Sequence, residues 1–410
     1  MELSGTTSPD AGDSLADRIA VAMLTRAFPA DVVDGVLADT GRTQMRTRLL
    51  PSRVVVYFVL ALSLFPGLKY ERVARLLSQG LIWSLGRPTT CPVPTAAALS
   101  RARARLGAEP LEALFRATAA RVAGPPTYRG LRVLSLDTLR IEAPDSEENL
   151  AAFGRDPAAG EGPSCLRVAA LADESTQAVV DARLGPDADA GAALTWPLLR
   201  ALAGNELLLA DFGTVGVRSW CVAREHGVEL LWAAPADTAL SPHAVLPDGS
   251  YRCVLDGASD CAGEEDETGV AVPVRVVECT VAGMPVRLVT SLLDPARAPA
   301  AELVELHARR WRFREALADL AAQGPGRARP TAPGGADGGP GRPGPVPVLR
   351  SRSASGVRQE VWGHLLVHQA ITVLLRGDLP GRRGMAAAAV AAAPRFTAPG
   401  RGPQSVRRIV

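Results

Sequence analysis

The hydrophobic period changes once along this chain, near residue 131, and that change limits the folds open to it. From 14 to 125 apolar residues recur at helical spacing. Leu15, Ile19, Val21, Met23 and Leu24 open the pattern, and Pro29 interrupts it. Pro51 begins a strongly apolar helix that stops near Pro66 and Gly67, and Tyr70–Leu77 reads as a short amphipathic helix with Arg72 and Arg75 exposed. Thr95 can cap a further helix that runs through Leu106. Beyond 131 the runs are short and β-like. Leu131–Leu136 is an apolar run closed by Asp137. Leu166–Ala172 and Ala178–Leu184 form a hairpin turning at Asp173–Thr176. Glu206–Ala210 is a buried strand closed by Asp211, with helices over Trp196–Leu202 and Ser219–His226 and a further strand over Glu229–Trp232. Residues 250–292 alternate in a β manner and 300–322 return to a helix. Helices followed by interleaved strands and helices make an α/β protein carrying a β-rich insertion.

The same reading sets expected boundaries. Residues 1–13 are a polar, disordered leader; 14–125 form a helical N-terminal domain; 131–228 with 297–323 form the α/β core; 229–296 are the insertion. Residues 324–347, dominated by Gly, Pro, Arg and Ala, read as a flexible linker, 348–376 as a C-terminal helical segment of the core, and 377–410 as a poorly ordered tail.

Charge is segregated along this plan. The chain has 45 basic and 43 acidic residues among 410, a formal charge of +2, and Lys69 is its one lysine. Residues 41–106 carry +10, 131–300 carry −14 and 301–410 carry +10. Arginine abundance by itself follows from a GC-rich coding sequence. A basic–acidic–basic arrangement is what an acidic metal-binding centre with flanks for a polyanion would show, although unrelated surface charges can also segregate. Arg101 and Arg105 stand four residues apart and share a helix face. Two short helices with a basic second one resemble a helix-turn-helix that would lay these arginines on DNA, and an ordinary solvated basic face is the other reading.

Several classes are excluded. A hydrophobic content of 47% rules out a wholly disordered chain. The six cysteines form no C-x-x-C pair and read as reduced thiols of a cytoplasmic protein. The N-terminus is acidic and polar, unlike a signal peptide. The longest apolar run, Val54 to Phe65, is too short to span a bilayer, so no membrane association is expected. No phosphate loop of the type G-x-x-x-x-G-K-[ST] is present. His226, His243, His364 and His368 read as surface or packed residues.

The chemistry-bearing pattern is the pair of aspartates that close buried runs. A carboxylate at the end of a buried strand is held rigidly at the sheet edge. Each aspartate alone could simply cap a turn. Together, Asp137 and Asp211 could share hard cations such as Mg²⁺, and paired ions of that kind serve phosphodiester cleavage.

Longer stretches carry a likeness. ADRIAVAMLTRAFPADVVDGVL (16–37), RTRLLPSRVVVYFVLALSLF (46–65), RVLSLDTLRIEAPDSEENLAAFG (132–154), LLLADFGTVGVRSW (207–220), LLWAAPADTALSPHAVLPDGSY (230–251), TSLLDPARAPAAELVELHARRW (290–311) and VLRSRSASGVRQEVWGHLLVHQAI (348–371) together resemble the bacterial insertion-sequence DDE transposases of the insertion-element-4 family. The resemblance implies an RNase H-like, retroviral-integrase-like catalytic core with a β-rich insertion, preceded by an all-α N-terminal DNA-binding domain. It implies metal-dependent cleavage and strand transfer of inverted-repeat DNA ends into target DNA, two Mg²⁺ (or Mn²⁺) ions, a dimer in a synaptic complex, a nucleoid-associated cytoplasmic location and no small-molecule substrate. Asp137 and Asp211 match the first and second metal-binding acids.

The third motif, Y-x2-R-x3-E-x6-K, matches at Arg310, but its tyrosine falls on His307, its glutamate on Arg314 and its lysine on Ala321. Glu315 is the nearest substitute acid. One residue turns a helical side chain by about 100°, so Glu315 serves only if the helix rotates or slips. Arg310 and Arg314 are the expected DNA contacts of this helix. Phe212 and Gly213 replace the polar pair usual after the second aspartate, and Thr138, Leu139 and Arg140 replace the Gly-Thr-Thr usual after the first. The alternative reading is a catalytically inactive, DNA-binding transposase remnant, because Arg314 stands where the third acid belongs.

Overall fold

The computed structural model describes residues 15–43, 50–85, 93–155, 163–187, 192–234, 238, 240–256, 271–281, 284–310 and 349–376. Arg314, Glu315, the leader, the Gly/Pro-rich stretch 324–347 and the tail from 377 lie outside them. Six helices come first: α1 (Leu15–Ala27), α2 (Ala30–Asp39), α3 (Ser52–Leu64), α4 (Tyr70–Leu85), α5 (Ala96–Leu106) and α6 (Glu109–Val122). The sheet strands begin with β1 (Arg132–Glu142), β2 (Cys165–Asp173) and β3 (Ala178–Pro186), with α7 (Glu147–Phe153) between the first two. Then come α8 (Ala192–Arg200), β4 (Glu206–Asp211), α9 (Phe212–Glu225), β5 (Glu229–Ala234), β6 (Ala244–Val245), β7 (Tyr251–Asp256), β8 (Ala271–Val281), β9 (Met284–Thr290), α10 (Ala300–Arg309) and α11 (Ala354–Arg376).

Local chemistry accounts for many of these boundaries. Thr95 caps α5 by accepting a bond from the Ala98 amide, and Ser146 caps α7 by accepting one from Asn149. Pro29 and Pro51 stand immediately before α2 and α3, where a missing N–H costs nothing. Helix α3 is apolar almost all round and nearly all of it is buried, which is how a run of valines remains helical. Helix α4 continues to Leu85, beyond the expected stop at Leu77. Strand β1 continues past Asp137 to Glu142, because β2 pairs with it as far as Glu142↔Cys165. Asp137 therefore stands mid-strand, not at a strand end.

The described strands form one mixed sheet in the order β3-β2-β1-β4-β5-β9-β8-β7-β6. β1, β4 and β5 run parallel to one another, and the other pairings are antiparallel. Strands from 229–290 thus extend the same sheet, with β5 lying directly against β4.

The two faces alternate as strand geometry requires. Leu134, Leu136, Leu208, Ala210, Leu230 and Trp232 face α8 and α9. Val133, Leu207, Leu209 and Leu231 lie on the opposite face with Leu303 and Leu306 of α10. On that same face, Ile141, Leu166, Val168 and Ala170 join a larger core built from α1 to α6 and α11. The N-terminal helices therefore share a hydrophobic core with the sheet and with the last described helix. Among the described residues no helix is long and apolar enough to cross a membrane.

Candidate active site

The sheet register brings the two aspartates together. β1 and β4 are parallel, with Arg132 opposite Glu206 and Ser135 opposite Leu209. Asp137 and Asp211 each lie two residues beyond the last of these pairs. Both have the parity of Val133 and Leu207, so both side chains leave the face that α10 covers. Each is held by a sheet partner, Asp137 by Ala170 of β2 and Asp211 by Ala233 of β5.

Between them stands Arg310, the residue capping the C-terminus of α10. Its Nη2 donates to Asp211 Oδ2 at 2.9 Å and lies 3.5 Å from Asp137 Oδ1. The same nitrogen reaches the Leu136 carbonyl at 3.5 Å. Arg310 is 4% exposed and Asp137 also 4%, while Asp211 is partly open to solvent. Burial works against the guanidinium charge, but Asp211 and then Asp137 outweigh it and hold the group above its ordinary range. Burial and the neighbouring Arg310 push His307 down to about 4, so this histidine is neutral beside the acids. Glu174, in the β2–β3 turn, has its carboxyl raised by burial despite the bond donated by Gln177 Nε2 and the charge of Arg310.

The segment after Asp211 is fixed differently. Phe212 stacks on Trp220 at 5.4 Å and meets Trp232 edge-on at 5.1 Å. An apolar residue following the acid thus anchors the start of α9 into the core. Asp211 itself has extended backbone angles and makes no capping bond to α9, which leaves its carboxylate directed to the α10 face.

The structure brings Asp137, Asp211 and Arg310 into one cluster. Arg101 and Arg105 are exposed on α5, a helix that packs on α3, α4 and α11. Arg314 and Glu315 lie outside the described residues. Sequence reasoning did not place His307 or Glu174 beside the pair. The signal for His307 was its spacing of three from Arg310 on a helix whose Leu303 and Leu306 are buried. Nothing local marks Glu174, because its turn reaches the cluster only through pairing of β2 with β1.

The donor set suits a hard cation. Two carboxylates converge on one positive group, and paired carboxylate oxygens are ligands that hard cations prefer. Among the described residues no group of three or more His, Cys, Asp or Glu is placed to hold a metal.

Comparison with known proteins agrees with the residues quoted above. Residues 18–116 match the family model described as insertion element 4 transposase N-terminal. The chain is 25% identical over 352 residues to "Transposase InsG for insertion sequence element IS4" of Escherichia coli (strain K12), an alignment covering 83% of this chain and 73% of that protein. A solved structure, the piggyBac transposase synaptic complex with hairpin DNA, superimposes with a TM-score of 0.43 at 9% identity, covering 93% of this chain and 80% of that one.

Proposed function

The chain belongs to the insertion-element-4 family of transposases, and on that premise we propose that it cuts and joins DNA at Asp137 and Asp211. One observation carries the reading: two carboxylates, each just beyond the paired part of adjacent parallel strands, converge on one buried cation. The order β3-β2-β1-β4-β5, with β2 reversed against β1 and with β1, β4 and β5 parallel, supports an RNase H-like core. In this reading Asp137 and Asp211 hold Mg²⁺ or Mn²⁺, with Glu315 as the third acid. A divalent ion held there supplies positive charge to the reacting phosphodiester.

The protein's own groups do the rest. Strands β1 and β4 fix the carboxylates, and the partly buried Phe212, packed on Trp220 and Trp232, keeps Asp211 from shifting with α9. The helical residues 14–125 serve as the DNA-binding domain. Arg101 and Arg105 hold phosphates of inverted-repeat ends, Arg310 and Arg314 are further DNA contacts, and two copies join the ends in a synaptic complex.

The test is a strand-nicking assay on duplexes carrying the element's ends, with Mg²⁺ or Mn²⁺. Wild-type protein is expected to nick, and Asp137→Asn and Asp211→Asn to lose at least about 10³-fold in rate while still binding the duplex. Nicking by Asp137→Asn at the wild-type rate would sink the assignment. End binding without nicking by the wild-type chain would put the inactive remnant in its place, in keeping with Arg314 at the third acid position.

A further inference from the structure

The cation between the aspartates belongs to the chain itself. Arg310 is almost wholly buried, bonded to Asp211 at 2.9 Å and 3.5 Å from Asp137. A guanidinium cannot shed its charge by losing a proton in a protein. The guanidinium lies on one oxygen of each carboxylate, Asp211 Oδ2 and Asp137 Oδ1. A divalent ion shared by the two acids draws on the same inward-facing oxygens, and like charges in a buried site repel. The two cations therefore compete for the space between the acids.

We propose that Arg310 is a resident counter-ion of the acid pair, which a divalent metal must displace in order to bind. This rests on the reading of Asp137 and Asp211 as the metal-holding acids. The position of Arg310 makes displacement feasible. It is the C-cap of α10, its amide donates to the His307 carbonyl, and its long side chain alone reaches the acids. Rotation about the side-chain bonds swings the guanidinium off the carboxylates without moving β1, β4 or the packed turns of α10. Without metal, the pair keeps Arg310 and the site stays closed. With metal, Arg310 is freed.

The experiment measures Mn²⁺ itself, without DNA. Free Mn²⁺ is counted by electron paramagnetic resonance over the wild-type chain, Arg310→Gln and Arg310→Lys. Arg310→Gln is expected to bind Mn²⁺ at least about tenfold more tightly than wild type, and Arg310→Lys, which keeps the charge, to bind within about threefold of it. Equal affinity of wild type and Arg310→Gln overturns the proposal. Should Arg310→Gln fail to fold in buffer, refolding in Mn²⁺ is the second measurement. Recovery of a cooperative melt with Mn²⁺ but not with the same ionic strength of NaCl supports displacement, and failure to recover with either overturns it. The nicking assay separates the two readings. Tighter Mn²⁺ binding by Arg310→Gln with no nicking by any variant keeps the counter-ion and removes the transposase chemistry. Nicking with unchanged Mn²⁺ affinity does the reverse.

Discussion

Three arginines alternate along α5 and meet two different fates. Arg101 and Arg105 are exposed, while Arg103 is 5% exposed and threads into the C-terminal part of the fold. It pairs with Glu360 at 3.0 Å, donates to Gln359 and Ser351, and bonds Tyr70 as well. Taking away one partner of a buried pair leaves an uncompensated charge. Arg103→Met is therefore expected to cost about 3–5 kcal/mol, and Arg103→Met with Glu360→Met much less, as read from urea unfolding midpoints. A double variant as unstable as the single one would show that the ion pair is not the cause. Helical spacing made the shared face of Arg101 and Arg105 legible in the sequence. It could not show the burial of Arg103, because Gln359 and Glu360 arrive from 256 and 257 residues away. Arg310 was legible in part: it matches the third-motif arginine, on a helix face expected to look toward the acids and to contact DNA. Its ion pairs with Asp137 and Asp211 arise only when distant segments meet.

Elements were legible where one period dominated. The hairpin of β2 and β3, the buried strand ending at Asp211 and the long apolar helix over 357–375 all follow from local patterning. β1 ran on past Asp137 because its second half alternates Thr138, Leu139, Arg140 and Ile141, a strand pattern completed only by its partner β2. Two element-scale predictions follow from the packing. Gly204, in the turn leading into β4, has φ +86, and a Cβ there would meet the His226 carbonyl at 2.6 Å. Gly204→Ala is expected to cost about 1–3 kcal/mol through strain at the root of the Asp211 strand, measured by thermal melting. His368 in α11 is buried, and desolvation lowers it to about 4. The unfolded chain takes up that proton near pH 6.5, the folded chain only near 4. Its contribution is whole above 6.5 and is lost as pH falls toward 4, by an amount on the order of 3 kcal/mol. His368→Leu should flatten that part of the stability profile between pH 6.5 and 4, and an unchanged slope would assign it to other groups.

At the scale of the molecule, the net charge of +2 conceals a basic N-terminal region and an acidic centre. If DNA binds the exposed face of α5, each phosphate contact releases counter-ions, and the logarithm of affinity falls with salt by about 0.9 per contact. Arg101→Ala and Arg105→Ala should each lower that slope by about one and weaken binding alike for element ends and unrelated duplexes. An unchanged slope in both would move the DNA elsewhere. The shared core has a different kind of consequence. Helix α11 packs against α3 so closely that a Cβ on Gly363 would lie 2.5 Å from Ser63 Oγ, and it joins one hydrophobic core with helices far earlier in the chain. At translation speeds of about 5–20 residues per second, α3 waits on the order of 15 to 60 seconds for the segment that covers it. Through that interval the newborn chain exposes the apolar side of α3. The yield of folded protein therefore depends on what shields the nascent chain on the ribosome as well as on the stability of the finished molecule.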